Sequence, residues 1–311
     1  MKVCVTIPAY NEEETVAEVV EDCRAVLEQE GYDHDIIVMD DGSTDRTAEV
    51  AEEAGAVVYS HRTNRGLGRT FASAMRHALD HDPDIIVNID ADGQYEPAEM
   101  PDLIGPVAAG DADLAVGDRQ VMSLDYKSLP NKLGNTLGSL VTSVLAEHRI
   151  RDAQSGYRAF TPELAAQWTV MSSYTYVQET LIQAAHDGYT IEQVPITFYE
   201  RDSGGSRLVS SLPSYVSRAT RIVIRAYRDY KPMRTFSLIA LGFFLLAAVP
   251  GYQVASNFLA TGSFELVGRG LLVVLLGVAG ALTLVFGLLA DMLKRHREIM
   301  EEILQEVQRG G

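Results

Sequence analysis

The chain has 311 residues with 43 Asp/Glu against 26 Lys/Arg, and its formal charge of −17 excludes a general nucleic-acid binder. The length holds one α/β domain plus something else, and the charge is uneven: residues 1–113 carry 26 acidic and 7 basic side chains, residues 201–311 carry 8 and 13. An acidic soluble part joined to a basic tail implies two environments, and the acid excess also fits a high-salt cytoplasm.

In chain order, Val3-Cys4-Val5-Thr6-Ile7 reads as a first strand, directly after Lys2 and with no signal-peptide pattern, so the N-terminus is expected in the cytoplasm. Cys4 in that strand and Cys23 in the next helix make no disulfide framework and fit a reducing compartment. Pro8-Ala9-Tyr10-Asn11-Glu12 follows the strand, with Asn11 as the expected N-cap of a helix running to about Glu30. That helix carries Val16, Val19, Val20, Cys23, Val26 and Leu27 on one face, and Gly31 stops it. A second strand, Ile36-Ile37-Val38-Met39, ends on Asp40-Asp41-Gly42-Ser43-Thr44, where Ser43 or Thr44 is the expected cap of the next helix. Turn chemistry accounts for Gly42 and the hydroxyls, but not for two aspartates at a strand end.

A third strand at 57–59 leads to Asn64-Arg65-Gly66-Leu67-Gly68-Arg69, either a simple turn or a phosphate cradle of backbone N–H groups and guanidinium, and then to a helix through Leu79. The apolar run 85–89 is a fourth strand, ending on Asp90-Ala91-Asp92-Gly93-Gln94. In an extended chain Asp90 and Asp92 point to the same side. Two such carboxylates repel unless a cation sits near them, and a hard divalent ion could carry phosphate oxygens on its remaining positions. The competing reading is a solvated acidic turn. A helix from about Pro97 and a strand at 114–116 ending in Gly117-Asp118-Arg119 complete an alternation that predicts an open, mostly parallel sheet, with ligands outside the strands' carboxyl ends.

A helix over 129–145 carries Asn131, Lys132 and Asn135, and Asp152-Ala153-Gln154-Ser155-Gly156-Tyr157-Arg158 forms a polar loop. A helix over 174–186 holds Gln178 and Glu179, the strand 191–198 follows, and Arg201 to Arg207 form a glycine-rich loop, a linker or a phosphate lid. Over 213–230, Arg218, Arg221, Arg225 and Arg228 make one stripe of an amphipathic helix suited to anionic headgroups. Two uncharged stretches, 235–257 and 270–290, are long enough to span a bilayer as a hairpin. Lys231 and Arg234 before them, and Lys294, Arg295 and Arg297 after, place both flanks and the soluble domain in the cytoplasm by the positive-inside rule. Residues 291–311 form a charged C-terminal helix.

Pro8-Ala9-Tyr10-Asn11-Glu12, Asp40-Asp41-Gly42-Ser43, Asp90-Ala91-Asp92-Gly93-Gln94 and Ser155-Gly156-Tyr157-Arg158 together resemble the family 2 glycosyltransferases of the GT-A fold, over about residues 1–210. The nearest likeness is to dolichol-phosphate mannose/glucose synthases and polyprenyl-phosphate glycosyltransferases, including the membrane-anchored subset. The resemblance implies a nucleotide-sugar site of Pro8, Tyr10, Glu12, Asp40, Asp41, Arg65, Gly68, Asp90 and Asp92, with Asp92 and Gln94 holding Mg²⁺ or Mn²⁺. It implies a catalytic set of Asp92, Arg119, Asp152, Arg158 and Glu179. For the acceptor and phosphates it implies Arg119, Lys132, Asn135, Ser155, Arg201 and Arg207. Lys132 stands where some relatives carry arginine, offering a point charge rather than a fork.

The activity implied is inverting transfer of a hexose from a UDP- or GDP-hexose to a polyisoprenyl or dolichyl phosphate. The enzyme would be a multi-pass cell-membrane protein with a cytoplasmic catalytic domain, touching membrane lipids and compatible with a homo-oligomer. Whether Asp152 or Glu179 acts as a base stays open at this point. Other readings are a membrane-anchored transferase acting on a protein or glycan, a non-catalytic nucleotide-sugar scaffold, and a sugar nucleotidyltransferase. The last lacks a lysine-ending glycine loop after the first strand.

Overall fold

The computed structural model describes residues 1–124, 129–170, 176–200, 232–263 and 266–309. The chain divides into two compact units, Met1–Ala219 and Thr220–Gly311. Arg201, Arg207 and the basic stripe from Arg218 to Arg228 lie outside the described residues.

The first unit is built on strands β1 (Lys2–Ala9), β2 (Asp33–Asp40), β3 (Val57–Ser60), β4 (Ile85–Asn88), β5 (Leu114–Asp118), β6 (Arg158–Phe160) and β7 (Ile191–Pro195). They form one seven-stranded sheet in the order β3-β2-β1-β4-β6-β5-β7. The parallel sheet expected from the strand–helix alternation is there, with one difference: β6 runs antiparallel between β4 and β5, Arg158 lying opposite both Asn88 and Val116. Three residues give no periodicity to read, and this strand exists through its two neighbours.

Helices α1 (Val16–Gln29), α2 (Thr47–Glu53), α3 (Leu67–Asp80), α4 (Met100–Ala108), α5 (Leu129–Ala146), α6 (Pro162–Gln167) and α7 (Val177–His186) complete the unit. Val3, Val5 and Ile7 of β1 share a core with Val16, Val20, Cys23 and Leu27 of α1 and with Leu103 and Ile104 of α4. Phe71, Ala74 and Ala78 of α3 are buried apart from that cluster and pack with β1 and β2. Central strands covered on both faces read as unbroken apolar runs, and each fully buried Leu27-sized side chain contributes about 1.5–3 kcal/mol.

The helix starts differ from the capping expectations. Asn11 does not cap α1: it sits at φ 55 and its Oδ1 accepts the Thr44 N–H at 2.8 Å. Ser43 and Thr44 do not cap α2 either, since the Asn11 N–H donates to Ser43 Oγ at 2.9 Å and the first turn of α2 is served by Asp45 Oδ1. The polar residues after β1 and β2 are therefore spent on joining the two loops.

The second unit holds α8 (Pro232–Thr261) and α9 (Val267–Arg309). Met233–Thr261 and Val267–Leu293 are long and apolar enough to cross a membrane. Leu238, Leu245, Leu246, Leu271 and Leu275 are exposed along them, unlike the buried core helix of a soluble protein. The two helices pack on each other where Gly280 meets the Phe244 ring and Gly287 meets Phe236; an added Cβ would come within 2.8 Å of either. Pro250 lies inside α8 and does not end it. The charged terminal segment is continuous with the second apolar helix rather than separate from it.

Candidate active site

The carboxyl ends of β1, β2 and β4 open on the same edge, because these strands are parallel. The first two loops there are stitched together: the Glu12 N–H donates to Thr47 Oγ1 at 2.9 Å, the Arg46 N–H to Glu13 Oε2 at 2.9 Å, and the Asp41 N–H to Ala9 O at 2.9 Å. Pro8 is buried at the end of β1, Tyr10 is exposed and Glu12 is half-buried. Asp40 spends one oxygen, Oδ1, on the Ser43 N–H at 3.0 Å.

Asp41 is differently placed. Its Oδ1 accepts the Arg65 N–H at 2.8 Å and contacts His61 Nδ1 at 2.8 Å, while Oδ2 accepts the Gly66 N–H at 2.8 Å. Burial works to raise its pKa, but the His61 and backbone donors outweigh it and hold the carboxyl below its usual range. The glycine-rich segment is thus bound from below by an aspartate, with the Arg65 side chain exposed and Gly68 buried within α3.

After β4 comes the carboxylate pair. Asp90 keeps a little accessible surface but is ringed by protein. Burial first, then the neighbouring Asp92 charge, pushes it up to about 7, against the pull of Arg119 and Arg158. Its oxygens fill the space over Gly156, where a Cβ would stand 2.9 Å from both. The Gly156 N–H donates to Tyr95 Oη at 2.9 Å, and Asn88 Nδ2 donates to Gly156 O and to Tyr176 Oη, each at 2.9 Å. Asp92 Oδ1 accepts the Gln94 N–H at 3.2 Å, and Gln94 Nε2 donates to Tyr199 O at 3.0 Å, which leaves Gln94 Oε1 as the accepting end of that amide.

A divalent cation fits this donor set. Two acidic side chains that repel each other, with an amide oxygen beside them, are hard ligands for Mg²⁺ or Mn²⁺. Among the described residues no group of three or more His, Cys, Asp or Glu could hold a metal, so protein oxygens would supply part of the coordination and a ligand the rest.

Beyond β5 stands a buried ion pair. Arg119 Nε and Nη2 reach Asp152 Oδ2 and Oδ1 at 2.6 and 2.9 Å, and the Gln154 N–H and Asn135 Nδ2 add donors to Asp152 Oδ1 at 3.1 and 3.3 Å. Burial works to raise the Asp152 pKa, but Arg119 overrides it and holds the carboxyl below its usual range. So many donors on one ionised carboxylate make a poor general base. The Arg119 guanidinium also lies 5.0 Å over the Phe198 ring.

Arg158 is fully buried, with Nε on Ser155 O, Nη1 on Thr180 Oγ1 and Nη2 on Val177 O at 2.8–2.9 Å, so it ties β6 to α7 as a strut. Burial lowers its pKa to about 10. Ser155 is fully buried. Lys132 Nζ donates to Met122 O at 3.0 Å, and Gln178 and Glu179 are half-buried in the first turn of α7.

Sequence reasoning missed Asn88, Tyr95, Tyr176 and His61. Asn88 had a signal, an amide closing an otherwise apolar strand; the other three act through residues distant in sequence and had none.

The profile of Glycosyl transferase family 2 matches residues 4–161. The glycosyltransferase AglJ of Haloferax volcanii is 31% identical over 315 residues, covering 97% of each chain. The UDP-N-acetylglucosamine–dolichyl-phosphate N-acetylglucosaminyltransferase of Methanococcus voltae is 30% identical over 212 residues, covering 61% of this chain and 82% of the relative. Among solved structures, glucosyl-3-phosphoglycerate synthase from Mycobacterium tuberculosis, crystallised with Mn²⁺, UDP-glucose and phosphoglyceric acid, shares the fold with a TM-score of 0.56 at 24% identity, over 74% of this chain and 79% of that one.

Proposed function

The chain belongs to glycosyl transferase family 2, and from that premise we propose that it transfers a hexose, with inversion, from a UDP- or GDP-hexose to a polyisoprenyl phosphate of the dolichyl type at the cytoplasmic face of a membrane. The observation that carries this reading is that the Asp90–Asp92 pair and the buried Arg119–Asp152 pair both pack around Tyr95 and Phe198: Asp90 lies over Gly156, whose N–H donates to Tyr95 Oη, and Arg119, paired with Asp152, lies over the Phe198 ring 5.1 Å from that of Tyr95. One pair suits a cation and a diphosphate, the other an anionic acceptor.

Asp92 and Gln94 Oε1 would hold Mg²⁺ or Mn²⁺, which when bound supplies a Lewis acid for the leaving diphosphate. Asp40 would take the base, and Arg65 would meet the phosphates. Asp152 orients Arg119, leaving Nη1 of the guanidinium for an oxygen of the acceptor phosphate. That oxygen attacks the anomeric carbon from the face opposite the diphosphate. A phosphate monoester is already ionised near neutrality, so the attack needs no strong base, which agrees with Asp152 being held ionised and engaged. Arg158 would act from beneath, fixing the Ser155–Gly156 backbone against Asp90.

Two further features support a lipid acceptor. The chain carries two helices apolar enough to cross a membrane. In addition, α5 leaves Leu133, Leu137, Leu140 and Val144 exposed in one stripe while giving Asn135 to Asp152 from its other side. The dolichyl-phosphate acceptor in the name of the Methanococcus voltae relative supports the same class.

Membranes containing the protein, given dolichyl phosphate and a panel of radiolabelled nucleotide sugars, should yield label in solvent-extractable lipid from one donor, and Asp92→Ala should lose most of it. Hydrolysis of the donor with no labelled lipid would overturn the acceptor assignment. A reporter fused after Ala260 should lie outside the cell; a cytoplasmic signal there would sink the proposed topology.

A further inference from the structure

The segment between β3 and α3 is held by an arrangement that the donor and acceptor chemistry does not use. The His61 N–H donates to Asp40 O at 2.9 Å, extending the pairing of β3 with β2 by one residue. The chain then leaves the sheet and returns at Arg65 and Gly66, whose N–H groups both end on the Asp41 carboxylate. Gly66 is the N-cap of α3, sits at φ 90 and has no side chain to cap with. An aspartate from a neighbouring strand end takes the N–H groups of Gly66 and of the residue before it, close to the start of the helix where negative charge is favoured by the dipole. The turn and the segment also touch directly: a Cβ on Gly42 would lie 2.7 Å from the Thr63 carbonyl carbon.

His61 fixes that aspartate. Its Nδ1 lies 2.8 Å from Asp41 Oδ1 and its Nε2 lies 3.1 Å from Ser73 Oγ, which in turn accepts Arg76 Nη2 at 3.1 Å. An ionised Asp41 carboxylate can only accept, so the ring proton lies on Nδ1 and His61 donates to Asp41, while the Ser73 hydroxyl, accepting from Arg76, can turn its own proton to His61 Nε2. The relay runs Arg76 to Ser73 to His61 to Asp41. Each oxygen of Asp41 is then committed inside the protein, so the nucleotide contact expected of it falls to Asp40 beside it.

We propose that His61 is a positioning residue for the sugar-nucleotide site, holding Asp41 so that the 62–66 segment and the first turn of α3 present Arg65 to the donor phosphates. This rests on the nucleotide-sugar reading above. Without His61 the carboxylate keeps its backbone donors but loses the side-chain stop on its rotation, and the segment it holds at Arg65 and Gly66 loosens. The apolar core around β1 and α1 takes no part.

The test uses the full-length protein with His61→Ala, His61→Asn and Ser73→Ala. His61→Ala should raise the KM for the donor on the order of tenfold, about 1.4 kcal/mol in binding, with kcat within about twofold, and should speed amide exchange at Arg65 and Gly66. Asn keeps an N–H near the Nδ1 position, so His61→Asn should restore most of the affinity and the protection; Ser73→Ala should fall between. Unchanged donor KM and unchanged exchange in His61→Ala, or equal impairment of the Ala and Asn variants, would overturn the proposal. Binding of Mn²⁺ with UDP, and of Mn²⁺ with GDP, separates the two layers. If the unsubstituted protein binds neither, the sugar-nucleotide reading and the donor role of His61 fall together. The exchange rates would still report whether Asp41 is clamped.

Discussion

Helices α3 and α5 flank the two halves of the proposed site and are built on opposite plans. Phe71, Ala74, Met75 and Ala78 of α3 are buried and Arg69, Arg76 and Asp80 are exposed, as the amphipathic rule for a soluble helix requires. In α5 the pattern is inverted over residues 133–144, and only Leu145 and Ala146 at its end return to the core. Gly134, Ser139 and Thr142 are buried, while Leu133, Leu137, Leu140 and Val144 face outward. The inner face of α5 is polar because it has polar work to do: Asn135 reaches Asp152, and Ser139 Oγ accepts the Ala153 N–H at 3.0 Å. Its outer face is one that a second apolar surface would bury, since a leucine left exposed forgoes part of the about 1.5–3 kcal/mol available on full burial. The α3 side is thus closed over a buried apolar face, and the α5 side, where we propose the acceptor binds, turns its apolar residues outward.

The comparison can be broken most directly by truncating one apolar residue from each helix. Phe71 stacks on Tyr176 at 3.8 Å between centroids, so Phe71→Ala should cost about 3–5 kcal/mol of stability, whereas Leu140→Ala should stay within about 0.5 kcal/mol. Thermal unfolding of both variants measures this, and similar losses would mean that α5 packs like α3. Next in size, Gly156→Ala forces a methyl group against the Asp90 carboxylate. Overpacking of this kind costs about 1–3 kcal/mol, and donor affinity should fall with it; a variant that binds the donor normally would show that Asp90 has room to move.

Leu137→Glu with Leu140→Glu should reduce transfer to an acceptor embedded in vesicles roughly tenfold, about 1.4 kcal/mol. Transfer to a short-chain, water-soluble polyprenyl phosphate should be unchanged. Equal loss on both acceptors would place the damage inside the site rather than at the outer face of α5. The smallest expected effect is on acid stability. The Asp152 carboxyl is held below its ordinary value of 3.8, so its contribution is complete above that value and is lost as pH falls through the lower folded pKa. Asp152→Asn should flatten the fall in stability below about pH 4, read from denaturant midpoints across pH; an unchanged slope would show that other carboxylates carry it.

Much of this architecture was legible locally. Val3–Ile7 and Ile85–Val87 are β-branched runs that extended backbone accommodates and that burial on two faces demands, and both are strands. The Asp-x-Asp after the fourth run and the long uncharged stretches after residue 232 are read from spacing and length alone. The capping roles were misread for an equally physical reason. Asn11, Ser43 and Thr44 have the side chains that cap helices, but each can bond any backbone group within reach, and the parallel pairing of β1 with β2 brought other partners nearer.

Asp41 and Arg158 show where local reading stops. As residue types, an aspartate at a strand end and an arginine in a polar loop both suggest ligand contacts. The structure commits Asp41 to the backbone 24 and 25 residues further on and buries Arg158 against α7. By itself, the sequence determined every strand but β6, the acidic pair after β4, the apolar hairpin helices and the family, because periodicity, length and motif spacing are properties of neighbours along the chain. Only the tertiary structure decided which charged groups are spent inside the protein and which face the site. Hydrogen-bond partners and burial depend on the register of strands far apart in sequence, including β6, which exists only because β4 and β5 leave a place for it.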